Sequence, residues 1–592
     1  MHNALTIQDI LIRIFSFLPT SVNATNARVC KTWLEPALDN VWYEIHDISM
    51  VLQSLAEIYI TGKIPYFLRR PTLEEWRRFL VHCGRVHILN FDVWKSWRVI
   101  SSDALNAIAY TRPTGSLFTN LQVLRANCPD KWLGPMFMSS SVTELAFSIT
   151  KQPSHPEEIA WAIDEFVANM ANIASLKIES SILSPPDTEP YILRLLEAYP
   201  LLTVLYVPCM ALLPSIVEAA SRLPKLRVLW NELGRDTVYD SSDPITFPPT
   251  LDGQSFPSLE KLSFTAHVRE AVQLLQNPHF PPPSLSSLCF RAIIDTHNAS
   301  NNSLRPFLQA LDEKSKSIQE LDIHMQTTVG EGLRRVTIIF PDIAPLLALS
   351  NLTRLYLHND EPIQMTDDEA QQLAAGLPRL IHLDLTRGSS QPPTLTLRCL
   401  AHFALHCHEL TRLELSLNAR DDVPSAHDAI SFRHLRFLHL GSSPISDPQP
   451  VIRFFARSLP TKCLLLVLQD DIIDDAAVYR PSTGDDLDRC WKEVQNTLSQ
   501  VLESTQRWID VERSLRNENE KLRRENERLM EALASRTLVF GGRSLYRRIL
   551  KDVVMLEIPN SRSAITVTGS PERITTYTRS SMLFEPFAFQ EL

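Results

Sequence analysis

The sequence is poor in glycine, which supplies 15 of its 592 residues, whereas about 7% is usual for proteins. It lacks the phosphate-binding loop Gly-x-x-x-x-Gly-Lys-Ser/Thr, the Gly-x-Ser-x-Gly turn of serine hydrolases and the His-Glu-x-x-His helix of zinc proteases. Because no motif indicates an enzyme, we expect no catalytic residues and no cofactor.

Cysteine pairs, long apolar runs and strong charge are missing as well. The nine cysteines lie at least eight residues apart, so the chain has no Cys-x-x-Cys spacing. It has no run of about 18 apolar residues and no basic-apolar signal peptide, and its net charge of −10 is spread along the chain. We therefore expect reduced thiols, a cytoplasmic and/or nuclear location, and neither a membrane nor a nucleic-acid partner.

One group of residues has the spacing of a zinc site. Cys399, His402 and His406 lie three and four positions apart, on one face of a predicted helix. Leu400 and Phe403 fall within the same helix, which favours an ordinary packing helix. We expect no metal there.

The first 45 residues carry more apolar side chains than one small core can bury. From residue 10 to residue 18 only Arg13 and Ser16 are polar, so apolar side chains surround the predicted helix. One face can pack inward, and another needs a partner. Two more short helical segments follow, one with Val29-Cys30-Lys31-Thr32-Trp33 and one with Trp42.

These residues resemble an F-box, a three-helix domain, over residues 5 to about 45. The resemblance implies that residues 1–45 bind the SKP-family adaptor of a cullin ubiquitin ligase. The residues that match the adaptor-binding positions of the family are Ile10, Leu11, Ile14, Phe15, Leu18, Pro19, Val29, Cys30, Trp33, Leu38 and Trp42.

From Val86 onward the sequence repeats a phrase with two apolar positions three apart and a third two later, as in Leu352, Leu355 and Leu357. This is the strand signature of leucine-rich repeats, and the spacing of about 29 residues lies at the upper end of their range. Amphipathic segments between the copies predict one helix per unit. We expect an irregular solenoid of about 14 repeats over residues 86–484, with a parallel concave sheet and convex helices.

A predicted helix joins the N-terminal helices to the first repeat, within a helical linker over residues 46–85. Thr72 and Glu75 have the spacing of a capping box, and Gly84 follows the last apolar position. The resemblance as a whole is therefore to F-box proteins with leucine-rich repeats, and the predicted fold class is α/β.

Side chains between the last two apolar positions of each strand point to the concave face. Tyr206 and Trp230 fall there in successive repeats and suit an aromatic anchor for a target protein. The alternative is that the loop after Trp230 covers it, and that the charges only keep the surface soluble. The predicted target-binding residues are Tyr206, Trp230, Asp322, Arg354, Tyr356, Asp384, Arg412 and Glu414, and His382 adds a neighbouring charge.

Residues 485–535 predict a long helix, followed by a tail at 536–592 with no firm pattern. The apolar residues of the predicted helix recur every seven positions, as in a left-handed coiled coil. The predicted dimer seam is Trp508, Leu515, Asn519, Leu522, Asn526 and Leu529. A weak parallel homodimer and a helix packed within its own chain or solvated both fit. The segment also looks like the zipper of a basic-zipper factor, but the acidic residues 485–510 argue against DNA binding.

Two functions fit these patterns. In the first, the chain is the substrate-recognition subunit of an SCF-type ligase, in which the F-box binds the adaptor, and through it a cullin, while the repeats hold an unknown target for ubiquitination. The chain would then catalyse nothing itself and would raise the effective concentration of the target. In the second, it is a ligase-independent scaffold that is dimerised through the C-terminal helix.

Overall fold

A computed structural model describes most of the chain, in two compact units, residues 1–503 and 504–592. None of the described helices combines the length and the apolar character needed to cross a membrane. The described residues are 7–46, 48–61, 64–90, 102–128, 137–149, 157–180, 185–208, 212–232, 248–294, 303–327, 337–359, 361–385, 392–420, 423–425, 430–441, 443–467 and 485–539. The predicted tail therefore lies outside them, apart from residues 536–539.

Three short helices open the chain: α1 (Gln8–Phe15), α2 (Thr20–Asn26) and α3 (Lys31–Trp42). They have a small core of their own, made of Leu11, Phe15 and Ala37. Asn23 is buried beside it and donates from Nδ2 to the carbonyl oxygens of Phe15 (2.9 Å) and Leu18 (3.3 Å). The carbonyl groups at the end of a helix have no hydrogen-bond partner within the helix. Asn23 supplies a donor to the carbonyl of Phe15, the last residue of α1.

The linker contains α4 (Ile48–Leu55), an antiparallel hairpin of β2 (Ile58–Thr61) and β3 (Ile64–Phe67), and α5 (Leu73–Cys83). The predicted capping box of α5 is confirmed. The backbone N–H of Thr72 donates to Glu75 Oε2 at 2.8 Å, and the N–H of Glu75 donates to Thr72 Oγ1 at 3.4 Å. Trp76 and Phe79 on α5 are buried in the main core, so this helix is part of the folded body.

A single open sheet of 15 parallel strands runs through the first unit, and each strand pairs with its neighbours in chain order. Its first strand, β1 (Glu44–Ile45), pairs directly with β4. The remaining strands are β4 (Ile88–Asn90), β5 (Val123–Cys128), β6 (Glu144–Ile149), β7 (Ser175–Ser180), β8 (Val204–Pro208), β9 (Val228–Glu232), β10 (Lys261–His267), β11 (Ser287–Ile294), β12 (Glu320–Thr327), β13 (Arg354–His358), β14 (His382–Asp384), β15 (Arg412–Glu414), β16 (Phe437–His439) and β17 (Leu464–Leu466).

Helices connect most of the neighbouring strands, and their apolar sides pack against one face of the sheet in one continuous core. The prediction of one helix per unit does not hold throughout, since the described residues between β5 and β6, between β9 and β10 and between β15 and β16 contain no α-helix. Each predicted copy of the apolar phrase falls on one strand from β4 to β17, and residues such as Leu352, Leu355 and Leu357 are buried. The connecting helices are α6 (Ser102–Thr111), α7 (Glu157–Asn169), α8 (Pro185–Ala198), α9 (Pro214–Ser221), α10 (Val268–Gln276), α11 (Arg305–Lys314), α12 (Phe340–Ile343), α13 (Asp367–Gly376), α14 (Cys399–His406) and α15 (Pro448–Ser458), with a 3-10 turn at Ala344–Ala348.

The final strand differs from the prediction by one residue. The last copy of the apolar phrase begins at Cys463 and so predicts that Val467 points to the concave face. In the structure His439 pairs with Leu466 instead, and Val467 is buried. Because side chains alternate along a strand, a shift of one position exchanges the two faces. The run of leucines at 464–466 hid this alternation.

The last helix, α16 (Asp485–Val539), begins as part of the first unit. Trp491, Val494, Leu498 and Leu502 are buried in the main core. Gln495 Nε2 donates to the carbonyl oxygen of Leu465 at 3.2 Å, which satisfies an acceptor on the edge strand β17. The predicted coiled-coil segment therefore starts after a portion that covers the end of the sheet.

Candidate interaction surfaces

Helices α1 to α3 present a large apolar surface. Among the predicted adaptor-binding residues Ile10, Ile14, Leu18, Pro19 and Val29 are exposed. Ile10, Ile14 and Leu18 are four positions apart, so they form a stripe along one side of the first helix and its end. We call these three residues the apolar stripe.

Two predicted adaptor-binding residues are interior instead. Leu11 and Phe15 are buried at 0% and 2% exposure and form the core of the three helices. Trp33 packs edge-to-face on Phe15, with ring centroids 5.5 Å apart. The prediction was wrong for Leu11 and Phe15 because the opening helix is apolar all round, and its sequence does not distinguish the inner side from the outer one.

The remaining predicted adaptor residues, Cys30, Leu38 and Trp42, are half-buried. Trp42 stacks on His82 of α5 with ring centroids 4.7 Å apart and packs against the main core, so it joins α3 to the rest of the first unit. The most exposed apolar residue of the region, Phe17 at 73% exposure, was not among the predicted adaptor-binding residues. Arg13 lies over the Phe17 ring at 5.1 Å.

Ion pairs hold the three helices to the linker. Arg85 lies just after α5 and pairs with Glu35 and Asp39 of α3. Burial alone would lower the pKa of the Arg85 guanidinium, but the hydrogen bonds and charges of the two carboxylates outweigh burial and raise it. The guanidinium therefore stays charged, and its ion pairs hold α3, and with it the three helices that bear the apolar stripe, to the linker.

The opposite face of the sheet from the helices carries a column of polar and aromatic side chains, which we call the polar face. The strand register aligns Ser263, Cys289, Asp322, Tyr356 and Asp384 side by side. Beyond Asp384 the column continues through Glu414 to His439. The predicted order of side chains along this column is therefore the observed one.

Tyr206 and Trp230 are also neighbours in this column, on β8 and β9. Both side chains are half-buried. The amino group of Lys177, on the preceding strand, lies 6.0 Å from the Tyr206 ring. The predicted aromatic pair is therefore assembled and partly accessible, while the loop residues 233–247 after it lie outside the described residues.

The charged end of the polar face is partly internal. Asp384 and Glu414, predicted as target-binding residues, are buried at 8% and 4% exposure. Glu414 pairs with Arg412, and His439 Nδ1 lies 2.9 Å from Glu414 Oε2. Burial acts to raise the pKa of Glu414, but these hydrogen bonds outweigh it and lower the pKa. This carboxylate is therefore already paired with Arg412 and His439 of the same chain.

Arg354, Tyr356, Asp322 and Arg412 remain at least partly accessible. Arg354 Nη1 lies 3.7 Å from Glu320 Oε2, and the Tyr356 hydroxyl lies 3.1 Å from His382 Nδ1. Burial, followed by the charges of Arg354 and Arg412, lowers the pKa of His382. Its imidazole is therefore shifted toward the neutral form, and the accessible part of this region carries both signs of charge, with Arg354 and Arg412 beside Glu320 and Asp322.

The three residues with zinc-like spacing are not arranged as a site. Cys399 is wholly buried, whereas His402 and His406 are half-buried on the same helix, α14. Burial raises the pKa of the Cys399 thiol well above its ordinary value. The thiol is therefore a packing group beside Leu400 and Phe403.

The second unit exposes an apolar ladder along α16. The predicted seam residues Trp508, Leu515, Leu522 and Leu529 are each at least 50% exposed, and Asn526 is exposed while Asn519 is half-buried. On an isolated helix such a ladder lies in water, where its burial by a partner is favourable.

Comparisons with known proteins identify no relative: no protein-family model matches the sequence, and no curated protein matches it.

Proposed function

We propose that the chain is the substrate-recognition subunit of an SCF-type cullin-RING ubiquitin ligase. In this proposal α1 to α3 are an F-box that binds an SKP-family adaptor, and the parallel sheet with its helices is a leucine-rich-repeat arc whose polar face holds a target protein. The observation that carries the proposal is the apolar stripe, which stays exposed although the three helices already have a core of their own.

The stripe argues against a merely structural role for the three helices. A unit that only covered the end of the sheet would turn its apolar surface toward the sheet. Here the contacts to the linker are made by the ion pairs of Arg85 and by Trp42, on α3. The exposed leucine and isoleucine side chains of the stripe are left for another protein, since contiguous apolar patches mark interaction sites.

The repeat interpretation is supported by the strands themselves. Their apolar positions are buried at the first, fourth and sixth residues of each clear copy, as in Leu380, Leu383 and Leu385. Their register is maintained from β4 to β17. Such a stack exposes one continuous face to a partner.

The adaptor interaction is tested with the full chain carrying Ile10→Asp and Ile14→Asp. Each change places a charge in the stripe, so we expect adaptor binding to weaken at least about a hundredfold, corresponding to about 3 kcal/mol. Purified adaptor is titrated against the parent and variant by calorimetry. Transfer of ubiquitin to co-purified proteins by the reconstituted ligase should fall in parallel.

A control places one aspartate on an exposed apolar residue elsewhere, Leu405→Asp on α14, and is compared with Ile10→Asp alone as well as with the double variant. It should leave adaptor binding unchanged. Equal adaptor affinity of the parent and the stripe variant, with both chains folded, would contradict the proposal. Leu11→Asp is unsuitable as a test because Leu11 is in the core, and its loss would unfold the three helices.

The target-binding part of the proposal concerns the aromatic pair. Tyr206→Ala with Trp230→Ala should reduce capture of ligase targets at least about tenfold, because aromatic anchors contribute about 2 kcal/mol or more each at protein interfaces. The readout is the set of proteins that accumulate on the parent when the proteasome is blocked and that are ubiquitinated only when the stripe is intact.

Trp161→Ala on α7 is the control for this pair, since Trp161 is an exposed aromatic residue outside the polar face. Target capture should survive that change. Unchanged capture by the double variant, with adaptor binding intact, would remove the aromatic anchor and leave the adaptor interaction standing.

A second candidate function is a ligase-independent scaffold that is dimerised through α16. The exposed ladder of Leu515, Leu522 and Leu529 favours it. Failure of adaptor binding together with dimerisation of the full chain would favour this alternative. The ladder is equally compatible with a ligase receptor that presents two target-binding arcs.

A further inference from the structure

Three groups that ligate metals meet on the polar face. The Cys289 thiol on β11 and the Asp322 and His324 side chains on β12 each offer one ligand atom, and these atoms all lie within 4.8 Å of one another. The strand register explains the meeting, because Cys289 pairs with Asp322 and His324 is the next residue on the same side of β12.

The separation of the thiol and the carboxylate is that of a tetrahedral zinc site, whereas the imidazole lies at hydrogen-bond distance from the carboxylate. Cys289 Sγ lies 3.6 Å from Asp322 Oδ2, and His324 Nε2 lies 2.9 Å from Asp322 Oδ1. Ligands bound to zinc at about 2.3 Å for sulfur and about 2.0 Å for oxygen or nitrogen lie about 3.5 Å apart in tetrahedral geometry. Small adjustments of the side chains are enough to surround an ion.

A second imidazole approaches from the next strand. His358 Nε2 lies 3.9 Å from Asp322 Oδ1 and 3.9 Å from Asp384 Oδ2. The rings of His324 and His358 stack with centroids 4.4 Å apart, so both Nε2 atoms face the same carboxylate. Three neighbouring strands thus bring one thiol, one carboxylate and two imidazoles together.

We propose that Cys289, Asp322, His324 and His358 form a binding site for a divalent transition-metal ion, with zinc as the ion that best fits the donor set. Mixed sulfur, nitrogen and oxygen ligands in a four-coordinate arrangement are typical of zinc and disfavour magnesium and calcium, which take oxygen ligands. The ion displaces the proton of the Cys289 thiol, which passes to solvent. Asp384 Oδ2 lies 3.9 Å from the same nitrogen, His358 Nε2, and so places a second carboxylate oxygen beside the site.

The position of the site suggests its effect on the fold. An ion held by β11, β12 and β13 joins three strands across the polar face, next to Tyr356 on β13, and fixes the side chains that a target would meet. Hydrogen bonding alone would also hold Asp322 between the two histidines, and it would require no metal. The two arrangements differ in whether the thiol is deprotonated.

The test uses the full chain, freed of metal with a chelator and titrated with Co²⁺. Thiolate ligation gives a sulfur-to-cobalt charge-transfer band, and tetrahedral geometry gives intense ligand-field bands. We expect these bands to saturate at one cobalt per chain and to disappear on addition of excess Zn²⁺. Cys289→Ser should abolish the charge-transfer band, and His358→Ala should weaken cobalt binding at least about tenfold.

Cys407→Ser is the matched control, because Cys407 is a buried cysteine whose thiol faces the carbonyl oxygens of Ala374 and Leu377 instead of a carboxylate. It should keep the bands. Absence of the bands in the parent, or their persistence in Cys289→Ser, would overturn the proposal. Should Cys289→Ser fail to fold, Asp322→Asn replaces it. Zinc should raise the melting temperature of the parent with increasing concentration and should not raise that of Asp322→Asn, because a bound ion stabilises the folded state. Equal stabilisation of the two chains would overturn the proposal.

Discussion

Trp491→Ala is expected to destabilise the C-terminal end of the sheet by about 3–5 kcal/mol, the range for removing a large buried aromatic side chain. Trp491 is 1% exposed and lies in the main core. Its indole Nε1 donates to the carbonyl oxygen of Ser443 at 2.7 Å. Alanine would leave both a cavity and a buried acceptor without its donor.

The effect should be local because the strands are stacked in chain order. The start of α16 covers the end of the sheet at β17, and uncovering it exposes the apolar interior and the free edge of this strand. Hydrogen exchange followed by mass spectrometry compares Trp491→Ala with the parent. Exchange in the variant should become faster in α15 and β16, and it should stay at the parent rate in β5 and β6. Aggregation on heating should begin at lower temperature.

Trp508→Ala provides the control on the same helix. Trp508 is 58% exposed, and its replacement should change the stability of the sheet by less than about 0.5 kcal/mol. Equal exchange rates in parent and Trp491→Ala would show that the beginning of α16 does not hold the end of the sheet.

The fold was largely predictable because its periodicity is strong. The repeated apolar phrase predicted strands from β4 to β17, and the capping residues Thr72 and Glu75 predicted the start of α5. Strand β1 was missed because Glu44 and Ile45 are too few to show alternation. They form a strand only because β4 lies beside them, which is a tertiary effect.

Packing of α16 within its own chain was one of two alternatives from the sequence, but the part of the helix that packs was not specified, although the sequence carries a signal for it. Trp491, Val494, Leu498 and Leu502 are spaced three, four and four residues apart, the pattern of one buried helical face. Because the seven-residue repeat follows, both interpretations, a dimer seam and a helix packed within its own chain or solvated, were applied to residues 485–535 as a whole. A change from a single packing face to a heptad marks the position where the first unit ends.

On the polar face, sequence predicted which side chains are neighbours but not how accessible they are. Asp384 and Glu414 belong to the column as expected, yet both are buried. Glu414 is enclosed because Arg412 and His439 bind its carboxylate. Such pairing depends on rotamers and on the neighbouring strands, which a column of sequence positions does not contain.

The heptad on α16 favours a parallel homodimer in its charges as well as in its apolar residues. With Leu515 and Leu522 at d positions, Glu518 and Glu525 fall at g, and Arg516 and Arg523 at e. A parallel pair places Glu518 of one chain opposite Arg523 of the other. An antiparallel pair would instead bring e residues to e and g residues to g, so like charges would face each other.

Asn519 and Asn526 fall at a positions and would meet their own copies across the two-fold axis of a parallel dimer. Each pair of amides can hydrogen-bond only in one register, which fixes the alignment at a cost in stability. Asn526→Cys should therefore yield an interchain disulfide under mild oxidation, because identical a residues are adjacent only in the parallel arrangement. Without crosslinking, the parallel assignment would be wrong.

Leu515→Asp with Leu522→Asp is expected to convert the full chain from dimer to monomer, raising the dissociation constant at least about a thousandfold. Burial of each leucine contributes about 1.5–3 kcal/mol, and a dimer loses four such side chains, so the estimate is conservative. Sedimentation equilibrium measures the change. Ser514→Asp with Asn517→Asp adds the same charge at outward-facing positions and should leave the dimer intact. A parent chain that stays monomeric at high concentration would contradict the homodimer.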